Sequence, residues 1–211
     1  MVCLVVAGGI LGVAVAWGLA QRKRRREFLQ QRANTIAQHG WYPAPVNPWL
    51  AEVTGRLFAK GRPSEMFAGD FRGQGLCVLE YLYTTSNGKT TQTHFVHIIA
   101  VNLPVALPPI TVSQDSTLKR AFGNDIELES QAFNEAFRVD CEDPRYATAV
   151  LQPRLMEWML HNPALQWQIA GNALVSWAYG GFTVPDVLAR LEAMAGVIDR
   201  IPPFVLRDYG T

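Results

Sequence analysis

The chain has 211 residues, 49% of them hydrophobic and 18% charged, with a formal net charge of +1. That apolar share is enough for a real core and excludes wholesale disorder. The near-neutral balance lacks the electrostatic footprint of a nucleic-acid binder, so no nucleic-acid partner is expected.

Residues 1–20 carry no charged side chain. Twenty helical residues span about 30 Å, the thickness of the hydrocarbon core, and a helix satisfies its own backbone there. The sequence therefore predicts one transmembrane helix over 1–20, with Trp17 in the aromatic belt. Arg22, Lys23, Arg24, Arg25 and Arg26 follow as a solid basic block. Gly18-Leu19-Ala20 has the look of a cleavage site, but no Lys or Arg precedes the apolar run and the cations follow it. By the positive-inside rule that flank stays in the cytoplasm. The expected topology is single-pass in the cytoplasmic membrane, N-terminus outside and domain inside. Trp17 and the five cations are the expected contact with membrane lipids, at about 1 kcal/mol per cation against anionic headgroups. The plainer role of the block is to set topology.

Residues 21–46 read as a basic juxtamembrane helix and a linker. Phe28, Leu29, Ala33, Ile36 and Ala37 keep helical spacing, Gly40 is a stop, and Trp41–Val46 is Pro-rich. Residues 47–211 are the predicted cytoplasmic domain. Asn47-Pro48 caps a short helix carrying Trp49, Leu50 and Val53. Strand patterns follow over Met66–Arg72 and Leu76–Tyr83, around Gly73-Gln74-Gly75. In the second, Cys77, Leu79, Tyr81 and Tyr83 share a face. Ser86-Asn87-Gly88 marks a turn, and Thr93–Asn102 reads as a central strand. Pro104, Pro108 and Pro109 predict a break before a short strand, Ile110–Ser113. Ile126–Glu129 and Ala136–Asp140 read as further strands.

Asp143-Pro144 opens a helix bearing Tyr146, Ala147, Val150 and Leu151, and Pro153 opens a second with Leu155, Met156, Met159 and Leu160. Leu165–Ala170 and Ala173–Ala178 read as a closing hairpin around Gly171-Asn172. Thr183 and Asp186 form a capping box before the apolar stripe Val184, Val187, Leu188, Leu191, Met194, Ala195 and Ile198. Adjacent strands without βαβ alternation predict an α+β fold, mainly antiparallel, with a C-terminal helix. A roughly seven-stranded meander with such a helix resembles the pleckstrin-homology-like superfold, a likeness that carries no function by itself.

Phe71-Arg72-Gly73, Tyr81–Thr85, Ala121–Ile126 and Phe133–Val139, with Asp143–Ala147 and Leu151–Trp158, resemble a family of actinobacterial single-pass membrane proteins. That family is labelled "secreted protein" or "domain of unknown function". The resemblance covers Trp49–Tyr209. It implies a shared fold and topology, and no activity, cofactor or catalytic residue.

Chemistry-bearing residues all have plainer readings. His94 and His97 lie three apart, so a strand points them to opposite faces, against a shared metal. The glycines of Gly69–Gly75 lack the spacing of a nucleotide loop. Glu127 and Glu129 share a predicted strand face, for which a solvated surface is the simpler reading. Cys3, Cys77 and Cys141 form no CxxC or CxxH motif, so no metal site is expected. Cys77 and Cys141 read as buried thiols, with a bridge between them left open. Trp158 and Trp177 fall beyond the main apolar stripes and are candidates for a partner surface, with core packing as the alternative. No cofactor and no catalytic residue is expected. The sequence thus points to a non-enzymatic, membrane-anchored accessory module at the inner face of the cytoplasmic membrane, serving envelope assembly or lipid export beside another integral membrane protein. The alternative is a domain that binds a lipid headgroup or small ligand; an enzyme of unknown reaction comes last.

Overall fold

The computed structural model describes Lys23, Gln30 and residues 33–86, 88–114 and 126–211. The strands are β1 (Tyr42–Pro43), β2 (Gly61–Phe71), β3 (Gln74–Ser86), β4 (Thr91–Ser113), β5 (Arg138–Cys141) and β6 (Trp167–Tyr179). Within the domain the helices are α1 (Pro48–Leu57), α2 (Gln131–Ala136), α3 (Pro144–Val150), α4 (Pro153–Leu160), α5 (Val184–Ile198) and α6 (Pro203–Asp208). The strands form one antiparallel sheet in the order β1-β2-β3-β4-β5, with β6 paired to β4. The fold is α+β, as the pattern predicts, and its sheet has six strands among the described residues.

β4 is the central strand. Its first half pairs with β3 on one side and β6 on the other; its second half pairs with β5 and β6. The break predicted at Pro104, Pro108 and Pro109 is instead two register shifts in one continuous strand, one at Leu103–Ala106 and one at Pro108-Pro109. Asn102 faces Ala173 and Leu107 faces Gly171, so Leu103–Ala106 oppose Asn172 alone. Prolines cannot donate to a ladder, and a bulge is where a strand tolerates them. Ala106 within the bulge exchanges both backbone bonds with Thr211, at 3.2 and 3.0 Å. The predicted hairpin around Gly171-Asn172 is likewise one strand, β6. Gly171 takes φ +56° at the bend, and both halves stay on β4.

Of two other predicted strands, Ile126–Glu129 fails and Ala136–Asp140 holds with a later start, both for local reasons. Ile126–Glu129 is not a strand. The Asn134 side chain clamps Leu128 instead, accepting from its N–H at 3.0 Å and donating to its carbonyl at 2.7 Å. Ser130 caps α2 through the Phe133 N–H, so the extended run begins at Arg138 rather than Ala136. The Pro-rich stretch after Gly40 is not a free linker. β1 pairs Tyr42 with Ala68, and the Trp41 ring lies so close over Gly69 that a Cβ there would sit 2.5 Å from Trp41 Cδ1. Trp41–Thr211 form one compact unit. Before it, residues 33–38 are helical and Gly40 stops the turn at φ +72°.

The sheet buries both faces. On one, Leu79, Tyr81, Val96, Ile98, Val175 and Trp177 pack against Leu50, Leu57 and Phe58 of the α1 region. On the other, Ile99, Val101, Leu174 and Ser176 lie under α5, which buries Val187, Leu191 and Met194. The hairpin between β2 and β3 turns on Arg72 and Gly73, both at positive φ, the geometry of a two-residue connection. Arg72 reaches across to Glu192 of α5.

Among the described residues no helix is long and apolar enough to cross a membrane. The predicted anchor, with Trp17, Arg22, Arg24, Arg25 and Arg26, lies outside the described residues; Lys23 is helical and exposed.

Two substitutions test this framework by urea denaturation of the full chain. Gly69→Ala forces the Trp41 ring from its seat and costs about 1–3 kcal/mol. Thr183→Ala removes the α5 cap, where Thr183 Oγ1 accepts from the Asp186 N–H, and costs about 1 kcal/mol, while Thr183→Ser stays near wild type.

Candidate functional site

α5 places Asp186, Ala189, Arg190 and Ala193 along one stripe, at helical spacing. The two alanines leave room where a longer side chain would fill it. Opposite them stand His161 and Asn162, where α4 ends, and the loop Pro163–Leu165 that leads to β6. His97 of β4 and Ala178 of β6 supply the sheet side of the same groove. Its volume is about 560 Å³, inside the range of about 300–1,000 Å³ typical of small-molecule sites.

Each polar side chain of the groove is anchored by one end. His97 is buried, 4% exposed, and its Nδ1–H donates to the Gly180 carbonyl at 3.1 Å. His161 is exposed, and its Nδ1–H donates to the Glu157 carbonyl at 2.8 Å. In a neutral imidazole this fixes the tautomer and leaves Nε2 as an acceptor. Asn162 Nδ2 donates to the Trp158 carbonyl at 2.9 Å. Asp186 Oδ2 accepts from the Thr183 hydroxyl at 2.6 Å, which holds its carboxyl below the usual carboxylate range.

Arg190 is half-buried. Its Nη1 donates to the Ala164 carbonyl at 3.4 Å and to Ser176 Oγ at 3.3 Å. Ser176 is fully buried and donates its own proton to the Gln166 carbonyl at 2.7 Å. Burial pushes the Arg190 value down, a measure of desolvation, although a guanidinium stays charged. Among the described residues it makes no ion pair within 4 Å. Burial likewise lowers the His97 value, against a smaller upward pull from its bond to Gly180. His97 is therefore the neutral, acceptor-bearing form near neutral pH.

Of the residues singled out by sequence reasoning, His97 and Asp186 line the groove and the others lie elsewhere. Trp177 is fully buried among Phe58 and the sheet core, edge-on to Phe58 at 6.1 Å, so it presents no partner surface. Its place on the strand face shared with Val175 explains this. Trp158 is half-buried. Its ring lies on Gly196 of α5, where a Cβ would be 2.3 Å from Cζ2, and the Arg200 guanidinium stacks 5.0 Å from its centre. His94 and His97 do point to opposite faces: His94 stacks on Tyr83 at 4.8 Å, away from the groove. Glu127 and Glu129 are exposed and lie outside any strand. Cys77 and Cys141 are both free thiols, which closes the question of a bridge. No group of three His, Cys, Asp or Glu able to hold a metal ion occurs among the described residues. Arg190, His161 and Asn162 were not singled out. The signal for them was Ala189-Arg190 and Ala193 on the flank of the α5 stripe, a lone cation between small residues.

No family model and no curated protein matches the chain. Among solved structures it is similar to the crystal structure of the mycobacterial trehalose monomycolate transport factor A, TtfA. The TM-score is 0.58 at 14% identity, over 84% of this chain and 93% of that one. At this identity the likeness is one of fold.

The buried His97 makes stability depend on pH. Its folded value lies below the ordinary 6.5, so the unfolded chain binds the extra proton first. The His97 contribution is unchanged above that value and is lost as pH falls from 6.5 toward the folded value. Urea denaturation of wild type and His97→Gln between pH 8 and 5 should show the variant losing less stability on acidification than wild type.

Proposed function

We propose that this chain is a non-enzymatic accessory protein of envelope assembly or lipid export, held at the inner face of the cytoplasmic membrane by residues 1–20. The observation that supports the reading is the likeness of fold to TtfA, by name a trehalose monomycolate transport factor, across 93% of that chain. The uncharged N-terminal run and the basic block at 22–26 supply the membrane address. Trp17 and the cations Arg22, Lys23, Arg24, Arg25 and Arg26 contact the bilayer, and the functional partner is another integral membrane protein. Membership of the actinobacterial single-pass family belongs to the same proposal. So does the pleckstrin-homology-like architecture, in which an amphipathic helix near the C-terminus crosses one face of an antiparallel sheet.

One observation favours a second reading, direct binding of a headgroup or small ligand. It is the α4–α5 groove, which joins a desolvated cation to several anchored polar groups.

The experiment is purification of the tagged full chain from native membranes in mild detergent, with depletion of the protein in parallel. The chain should stay with the membrane through a carbonate wash and retain a stoichiometric integral membrane protein. Its depletion should leave an envelope lipid inside the inner membrane. A chain released by the wash, or one that purifies alone and whose loss leaves lipid distribution unchanged, would refute the proposal. Protease should digest the domain in inside-out vesicles and spare it in intact spheroplasts; the reverse pattern would place the domain outside.

A further inference from the structure

The groove's free hydrogen-bonding atoms decide what it suits. Once the internal bonds are counted, His97 and His161 each keep Nε2, Asn162 keeps Oδ1 and one N–H, and Asp186 keeps Oδ1. Arg190 keeps the donors of Nε and Nη2. These five side chains thus offer four acceptors against two donor groups, with a carboxylate one helical turn from the guanidinium. A phosphate or carboxylate ligand offers acceptors alone. It would satisfy Arg190 and the Asn162 N–H but meet the Asp186 charge and two acceptor imidazoles. A hydroxyl donates and accepts at once, so a cluster of hydroxyls can pair with every one of these groups. A cation would match the acceptors but face the desolvated Arg190.

We infer that the groove between α4 and α5 is a binding site for an uncharged, hydroxyl-rich group, a sugar, with Arg190 donating to its oxygens and His97, His161, Asn162 and Asp186 accepting from its hydroxyls. The inference rests on the lipid-export reading for its setting, since a sugar met beside a membrane is either a glycolipid headgroup or a free saccharide. Both present the same hydroxyl chemistry to the groove. Ala189 and Ala193 give the ring room on the helix side, and the buried Ser176 and the Ala164 carbonyl hold Arg190 at the groove wall.

The test uses the full chain in phosphatidylcholine nanodiscs with ¹⁵N-labelled histidine, followed by side-chain NMR. Maltose is the free-sugar probe, diglucosyl diacylglycerol in the disc is the membrane-sugar probe, and inorganic phosphate is the anion probe. One sugar probe or both should move the Nε2 signals of His97 and His161 and leave those of His39 and His94 in place. Response to the lipid alone identifies a headgroup, and response to maltose alone a soluble saccharide. Arg190→Gln should weaken binding about tenfold, in line with loss of a charged hydrogen bond. The exposed His161→Phe should weaken it as well, which guards against misfolding of the Arg190 variant. Silence toward both sugars, or a shift with phosphate alone, overturns the inference. A silent groove in a chain that still captures its membrane partner removes the sugar and leaves the accessory reading. A responsive groove in a chain that captures no partner does the opposite.

Discussion

The pairing of β4 on both of its edges is the constraint on which this structure depends. Twenty-three residues run through the sheet, with β6 along one side and β3 then β5 along the other. Three prolines should interrupt such a ladder, and two register shifts, at Leu103–Ala106 and at Pro108-Pro109, let it continue. Because the ladder resumes, Ile110 and Val112 rejoin the same sheet as Ile98, with all three side chains fully buried. α1 packs on the face of Val96 and Ile98, and α5 on the face of His97 and Ile99.

The groove follows from that arrangement. Ser176 points from β6 toward α5, and Arg190 lies across it. A half-buried guanidinium with no ion pair within 4 Å among the described residues is costly to desolvate, and two neutral acceptors offset part of that cost. The sheet could have covered this ground with an apolar residue at far less expense of desolvation. A cation kept there is what a binding surface requires and a core does not. Fold likeness and groove are independent observations: one concerns the path of the backbone, the other the placement of a few side chains on it.

Local chemistry was legible in the sequence. The caps at Asn47, Asp143 and Thr183 each bond where the pattern placed them, and β3 alternates as its residues suggest. Misreadings arose where a distant partner decides. Pro108-Pro109 looks like a break until β6 is known to hold both halves of β4. Gly171-Asn172 looks like a hairpin turn until Leu107 is found opposite. Trp177 looks like an available aromatic until Phe58 closes over it. The groove was the least legible feature, because His97, His161 and Arg190 lie on three elements far apart in the chain and no short motif joins them. Asp186 was recognised for its cap and not for the second oxygen that it leaves over.

The long span of the β4–β6 pairing has a further consequence for how the chain is made. The His97 side chain and the Gly180 carbonyl, bonded beside the end of this pairing, are 83 residues apart. At the ribosome β4 emerges early with one edge unmatched, and β6 follows only after α2, β5, α3 and α4 have been synthesised. Loop closure on that scale slows folding and leaves an adhesive edge exposed meanwhile. The sheet therefore closes late in synthesis, and the α5 wall of the groove is laid down immediately after it, so the groove forms late as well.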